Sequence, residues 1–150
     1  MKDRQKRAIG RFAGAIDELK DAGVIRSHRY LGDIAEFLCA DLFGIVLSQN
    51  LREAGHDGMR GKLRVQVKYG GGKKTNVSLG NPDEYDEIYI VLGRESVVRM
   101  EGHDEDFVVY KLTPDEVRTK TKTRNGTYSC GRSLGNPVGV ISMKDVDDAD

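Results

Sequence analysis

The stretch of sequence that decides the fold is HDGMRGKLRVQVKY, residues 56–69. From residue 62 onward polar and apolar side chains alternate, which is the two-residue period of a half-buried β-strand. Arg60-Gly61 can supply a tight reversal, so we expect the segment around Asp57 to fold back beside this strand as a hairpin. Gln66 and Lys68 then share one face of the strand, within reach of Asp57 across the turn. An ordinary antiparallel strand with one solvated face has the same pattern, but an acid, an amide and a lysine in one small volume form a candidate active site.

Composition favours a single domain spanning residues 1–150. A chain of 150 residues with 38% hydrophobic residues can bury a substantial core. The formal net charge is +0, so any surface for nucleic acid has to be local. The two cysteines, Cys39 and Cys130, have no metal-ligand spacing, which is typical of the reducing cytoplasm. No apolar run approaches the ~20 residues of a membrane span, and no signal-peptide core follows the basic start, so we expect a cytoplasmic protein without membrane contact.

The first predicted helix is amphipathic and covers about residues 3–22. Its apolar side chains recur at three- and four-residue spacings, and Gly23 is a plausible C-terminal stop. Its first turns are basic, for which a solvated face is a sufficient explanation. Gly10 and Gly14 each cost up to about 1 kcal/mol in a helix interior, and they could permit close packing of a helix from a second subunit.

A second helix is predicted over residues 30–43, ending at Gly44. Glu36 falls at the border of its apolar arc when the helix is plotted at about 100° per residue. A carboxylate on that border is partly desolvated unless it is paired or bound to a metal. An exposed glutamate that reaches round to water fits the periodicity equally well.

The second half of the chain is predicted to be mostly strands. A continuous apolar run at 86–93 indicates a strand buried on both faces. Thr113, Pro114 and Glu116 form the start of a capped helix, with a capping box between the first and the last of them. Further strands are expected at 96–100, 106–110 and 138–143, and the acidic tail at 145–150 is expected to be frayed.

A glycine-rich basic loop, GGGKKTN at 70–76, follows the central strand. The order required of a phosphate-binding P-loop is absent, and the loop opens no obvious helix. We therefore expect no nucleotide cofactor. Lys73 and Lys74 stand in this loop as either solvated charges or contacts to a phosphate backbone.

Glu36 on a helix, Asp57 at a turn and Gln66-Val67-Lys68 on the next strand resemble the motif of the PD-(D/E)xK nuclease superfamily. Its members place an Asp at the start of one strand, an acid-x-Lys pair on the next, and often a Glu on the preceding helix. Gln66 stands where most members carry Glu or Asp, and this Gln-x-Lys variant is similar to that of Mrr-type restriction nucleases. The length and the stretch at 110–114 also resemble small homodimeric type II restriction enzymes. The resemblance covers about residues 30–112 and implies an α/β (α+β) domain of the restriction endonuclease-like fold, with a central mixed sheet of about five strands flanked by helices.

The resemblance also implies a reaction. Asp57, Gln66 and Glu36 would hold Mg²⁺, for which Mn²⁺ would substitute, and Lys68 would orient the attacking water and stabilise developing negative charge. The implied function is hydrolysis of phosphodiester bonds in double-stranded DNA by a homodimer, in a restriction, defence or repair setting. The implied DNA contacts are the basic side chains of two segments: Lys73, Lys74, Lys120, Lys122 and Arg124.

Two other functions stay open. Gln66 lowers the charge of the site, which favours a catalytically weak or inactive protein of the same fold that binds nucleic acid or a partner protein. Near-zero net charge and the lack of an obvious recognition helix favour a small interaction module outside nucleic-acid chemistry.

Overall fold

The structure is a computed structural model that describes residues 1–50 and 55–143. Within these residues the chain forms an α+β fold with three α-helices and two sheets. The helices are α1 Asp3–Asp21, α2 Tyr30–Phe43 and α3 Pro114–Arg118. The strands are β1 Val46–Leu47, β2 Gly58–Arg60, β3 Leu63–Gly70, β4 Val77–Gly80, β5 Glu87–Gly93, β6 Phe107–Leu112, β7 Thr121–Lys122, β8 Tyr128–Cys130 and β9 Gly139–Ile141. The tail expected to be frayed, residues 145–150, lies outside the described residues.

The larger sheet is mixed and, in the described part of the chain, has six strands in the order β1-β2-β3-β5-β6-β9. Strands β3 and β5 run parallel, whereas the other neighbouring strands run antiparallel. The parallel pair requires a crossover, which contains β4 and a 3₁₀ turn at Pro82–Glu84. The prediction of a central mixed sheet is confirmed, with one strand more than the expected five.

The predicted hairpin forms as β2 and β3. Arg60 pairs with Leu63, and Gly61 takes the left-handed conformation (φ +61°) that a tight hairpin turn requires. Along β3 the apolar side chains of Val65 and Val67 are buried on one face, as the alternation predicts. The hairpin brings the segment before β2 alongside the middle of β3.

Two apolar cores cover the two faces of the larger sheet. On one face α2 packs through Ala35 and Cys39 against Val65 and Val67 of β3. The other face is covered by the small sheet, ordered β4-β8-β7, and by Val117 of α3. Because both faces are covered, every residue of β5 is buried, which confirms the strand predicted from the apolar run at 86–93.

The helix predictions are confirmed to within a residue. Helix α1 spans Asp3–Asp21, and α2 ends at Gly44, whose left-handed conformation lets its N–H donate to the carbonyl of Ala40. A side chain built at Gly10 or Gly14 would meet no atom of the described residues within 4 Å, so these glycines make no close packing with that part of the chain. None of the helices in the described residues is long and apolar enough to cross a membrane.

The strand predicted at 96–100 is wrong, because this segment forms turns. The N–H of Ser96 donates to Gly93, that of Arg99 donates to Ser96, and that of Val97 donates to Gly72. With these groups satisfied by turns and by a loop, no row of backbone donors is left for a neighbouring strand.

Candidate functional site

Asp57 is held in place by its main chain immediately before β2. Its N–H donates to the carbonyl of Val65 (2.7 Å), and its carbonyl accepts from the N–H of Ser48 (2.9 Å). Its side-chain oxygen Oδ2 accepts from the N–H of Val67 (2.7 Å). Strand β2 begins only at Gly58, so the Asp57 carboxylate takes the place of a strand partner for β3.

Gln66 contacts the same carboxylate oxygen. Its side-chain Nε2 donates to Oδ2 of Asp57 at 2.7 Å and makes a longer contact of 3.3 Å to the carbonyl of Val67. Gln66 is only 8% exposed. The structure therefore brings Asp57 and Gln66 together, as the hairpin predicts.

Lys68 lies in the same cleft as Asp57 and Gln66. The cleft has a volume of about 280 Å³, and its wall also includes Arg29 of the segment before α2 and Tyr85 of the crossover. Three of the four residues singled out from the sequence thus line one polar cleft. Lys68 also borders a wider cleft of about 970 Å³ at the carboxyl ends of the parallel strands β3 and β5.

Glu36 is not in the wall of that cleft. It is 4% exposed on α2 and lines a small neighbouring recess that shares Arg29, His56 and Asp57 with the cleft. Nη2 of Arg26 donates to Glu36 Oε2 at 2.8 Å, and the guanidinium of Arg29 lies 3.8 Å from Oε1. Glu36 is therefore a buried carboxylate whose charge is compensated by two arginines.

The two arginines are functional candidates that the sequence reasoning missed. Arg26 is positioned by Asp33, a buried residue of α2 whose Oδ2 accepts from the N–H groups of Arg26 (2.8 Å) and Ser27 (2.6 Å). The sequence did contain a signal for them. A carboxylate on the border of an apolar arc needs a cation nearby, and two arginines precede α2.

Burial raises the pKa of both carboxyl groups. For Asp57, the Val67 N–H, Lys68, Arg29 and His56 oppose the rise in pKa. For Glu36, the charge of Asp57 adds to the rise in pKa, while Arg26 and Arg29 oppose it. The two acids are thus coupled by like charge in a partly desolvated site, which is a common property of functional sites.

Sequence comparison does not assign this site. No family model matches the chain, and no curated protein matches it. Any function has to be argued from the geometry of the cleft.

The fit of a divalent cation depends on few ligands. No group of three or more His, Cys, Asp or Glu side chains that could hold a metal occurs in the described part of the chain. The hydrogen bonds from Gln66 and Val67 to Asp57 both go to Oδ2, and the Gln66 amide carries an oxygen beside the nitrogen that faces Asp57. One carboxylate and one amide oxygen fit Mg²⁺, because this ion retains several waters. Glu36, held by Arg26, fits a supporting role better than direct ligation.

The basic residues predicted to contact DNA lie in two segments, in which all of them except the half-buried Lys120 are exposed. Lys73 and Lys74 are in the loop between β3 and β4, and Lys74 borders the wider cleft. In the other segment Lys122 lies on β7, and Nζ of Lys120 donates to the carbonyl of Ser133 at 2.7 Å. The small sheet connects the segments, because β4 pairs with β8 and β8 pairs with β7. Arg124 is in the turn between those last two strands.

Proposed function

We propose that this protein is a Mg²⁺-dependent DNA endonuclease with a restriction endonuclease-like fold, acting in restriction, defence or repair. The observation that carries the proposal is the contact between Asp57 and Gln66, with Lys68 lining the same cleft. The mixed sheet, with the acid before one strand of a hairpin and the Gln-x-Lys pair on the next, supports it.

Each side chain of the cleft has a role in this proposal. Asp57 and Gln66 would hold the cation through Oδ1 and the amide oxygen, and Mn²⁺ could replace Mg²⁺. When bound, the ion supplies a Lewis acid for the phosphate. Lys68 orients the attacking water by hydrogen bonding and stabilises negative charge on the phosphate oxygens. Glu36, whose charge Arg26 compensates, supports the site beside Asp57 without binding the ion directly.

The test is cleavage of supercoiled plasmid by purified protein in Mg²⁺ or Mn²⁺. Asp57→Asn keeps an acceptor for the N–H of Val67 but removes the charge, and Lys68→Ala removes the ammonium group. Both variants are expected to lose at least a hundredfold in rate. Lys62→Ala is the matched control, since Lys62 is an exposed residue of the hairpin turn outside the cleft. Cleavage that survives both cleft substitutions, or equal loss in the control, contradicts the proposal.

The proposed DNA contacts can be tested separately from catalysis. Each lysine that contacts a phosphate contributes close to one unit to the slope of log affinity against log salt. Lys73→Ala combined with Lys74→Ala is therefore expected to weaken binding of duplex DNA and to lower the slope by about 2. Lys62→Ala again serves as the control, and an unchanged slope in the double variant removes these two lysines from the DNA-binding surface.

One observation favours the alternative of a catalytically inactive binding protein. The carboxylate of Asp57 already accepts two hydrogen bonds, and that of Glu36 is neutralised by Arg26, so the site is largely compensated without a cation. Calorimetric titration with Mn²⁺ separates the two functions. An absence of Mn²⁺ binding together with intact affinity for DNA would support the alternative.

A further inference from the structure

Helix α1 is uncovered along almost its whole length. None of its side chains is buried, and Ile9 and Phe12 are each 60% exposed. Its contacts with the rest of the described chain include an edge-to-face approach of the Phe12 and Tyr30 rings, 6.0 Å between centroids. The N–H groups of Val24 and Ile25, which follow the helix, also donate to the carbonyl of Leu19. The 19-residue helix is nevertheless amphipathic, with its large apolar side chains on one stripe.

A helix of this kind is not expected to be stable alone in water. Most helical stability in proteins comes from packing of an amphipathic face rather than from helix propensity, and Gly10 and Gly14 cost up to about 1 kcal/mol each. On a helical wheel at about 100° per residue, both glycines lie opposite the apolar stripe. The stripe itself therefore has to be covered by another surface for the helix to persist.

The charges of α1 indicate what covers it. The first half is mainly basic, with Lys2, Arg4, Lys6, Arg7 and Arg11 against Asp3, and the last turns are mainly acidic, with Asp17, Glu18 and Asp21 against Lys20. The net order opposes the helix macrodipole, which favours acids at the N-terminus and bases at the C-terminus, whereas Asp3 and Lys20 follow it. Among the ion pairs of the described residues none includes a charged side chain of α1. The charge pattern thus destabilises a single helix and needs an external partner of opposite polarity.

We propose that α1 pairs antiparallel with α1 of a second copy of this chain, burying the two apolar stripes against each other. In this arrangement the basic half of each helix faces the acidic half of the other. Lys6 and Asp17 lie on the same border of the stripe and at nearly equal distances from the midpoint of the helix near Phe12, so a two-fold axis there brings each Lys6 close to the partner's Asp17. An anionic partner such as DNA or a lipid surface would suit the basic half only, since the acidic half would repel it.

The pairing does not depend on the proposed nuclease activity. A pair of 19-residue helices buries less surface than a standard protein interface, so the expected dimer is weak, with a dissociation constant on the order of micromolar. Its electrostatic part is exposed to solvent and is therefore weakened by salt.

Sedimentation equilibrium of the full chain tests the pairing. The wild type is expected to dimerise in the micromolar range at low salt. Asp17→Lys turns two attractive pairs into repulsive ones and is expected to raise the dissociation constant at least tenfold. Asp21→Lys, on the face away from the stripe, is the matched control and is expected to change it less than threefold. Ile9→Asn, which changes helix propensity little, is expected to weaken the dimer as strongly as Asp17→Lys.

Charge exchange supplies the decisive measurement. Lys6→Asp and Asp17→Lys are each expected to be monomeric alone and to form a heterodimer when mixed, with a rise in helix content by circular dichroism. A wild type that stays monomeric up to about 200 μM overturns the proposal. Failure of the mixture to associate, or equal effects of Asp17→Lys and Asp21→Lys, also overturns it. If the wild-type monomer co-sediments with DNA and Lys6→Asp abolishes this binding, the surface is assigned to nucleic acid instead.

Discussion

Replacing Gln66 by Glu is the sharpest test of the geometry of the cleft. Gln66 Nε2 lies 2.7 Å from Asp57 Oδ2, and Gln66 is buried while Asp57 is half-buried. A glutamate there would bring two carboxylates together, and two unit charges at this separation repel by about 6 kcal/mol at an effective dielectric constant of about 20. Protonating one of them at pH 7 costs only about 4 kcal/mol, at about 1.4 kcal/mol per pH unit from a pKa near 4.3.

The variant is therefore expected to take up a proton rather than to hold both charges. Without metal its free energy of unfolding should be lower than that of the wild type by about 2–4 kcal/mol at pH 7, and by about 1 kcal/mol at pH 5. The variant loses more stability at the higher pH because folding raises the pKa of the carboxyl pair. The free energy of unfolding therefore falls as the pH rises toward the pKa of the folded state. Mn²⁺ should reverse the loss, since a ligand that binds only the folded state adds about 2.7 kcal/mol at one hundred times its dissociation constant.

Urea denaturation in a chelator at pH 5 and pH 7, and then in Mn²⁺, measures these differences. Gln66→Met is the control, because it removes the hydrogen bond without adding a charge and should show a smaller pH-dependent difference from the wild type over this range than Gln66→Glu. If Gln66→Glu is as stable as the wild type at pH 7 in the chelator, the two side chains are not in contact. If the loss appears but Mn²⁺ does not restore stability, the contact is correct and the metal site is wrong.

Three further substitutions test the surroundings of the site and the capped start of α3. Arg26→Ala removes the nearer of the two arginines beside the buried Glu36 and should lower the free energy of unfolding, measured by urea denaturation, by about 2–3 kcal/mol. Adding Glu36→Gln to the same chain should restore most of that stability. Glu36→Gln alone should flatten the dependence of stability on pH: burial raises the Glu36 pKa above 4.5, so the wild type is expected to lose stability as the pH rises from there through the folded pKa. An unchanged slope between pH 4 and pH 7 would show that Glu36 is not desolvated. Thr113→Ala removes the acceptor for the Glu116 N–H and should lower the unfolding free energy by about 1 kcal/mol, whereas Glu116→Gln, which keeps an acceptor for the Thr113 N–H, should cost less.

Local patterns predicted the elements that build the cleft. The alternation along residues 62–69 and the glycine at 61 predicted β3 and its hairpin, because side-chain period and turn geometry depend on neighbouring residues only. The same locality explains why α2 and its end at Gly44 were predicted correctly. The strand predicted at 96–100 fails for the converse reason: its two valines fit a strand, but Val97 donates to the distant Gly72.

The setting of Glu36 shows where local patterns end. Periodicity placed it on the border of an apolar arc and left exposure and burial equally possible. The structure buries it, because the segment before α2 folds back and brings Arg26 within 2.8 Å of its carboxylate. Coupling between Glu36 and Asp57 likewise depends on how α2 lies across the sheet.

The sequence alone therefore determined which residues form the strand and the hairpin, and hence that Asp57 and Gln66 meet. Tertiary structure decided that β3 runs parallel to β5, that a small sheet covers the other face, and that arginines compensate the charge of a buried Glu36. The physical reason is range. Backbone geometry and side-chain period act over a few residues, whereas burial and charge compensation are properties of surfaces that meet only after the chain has folded.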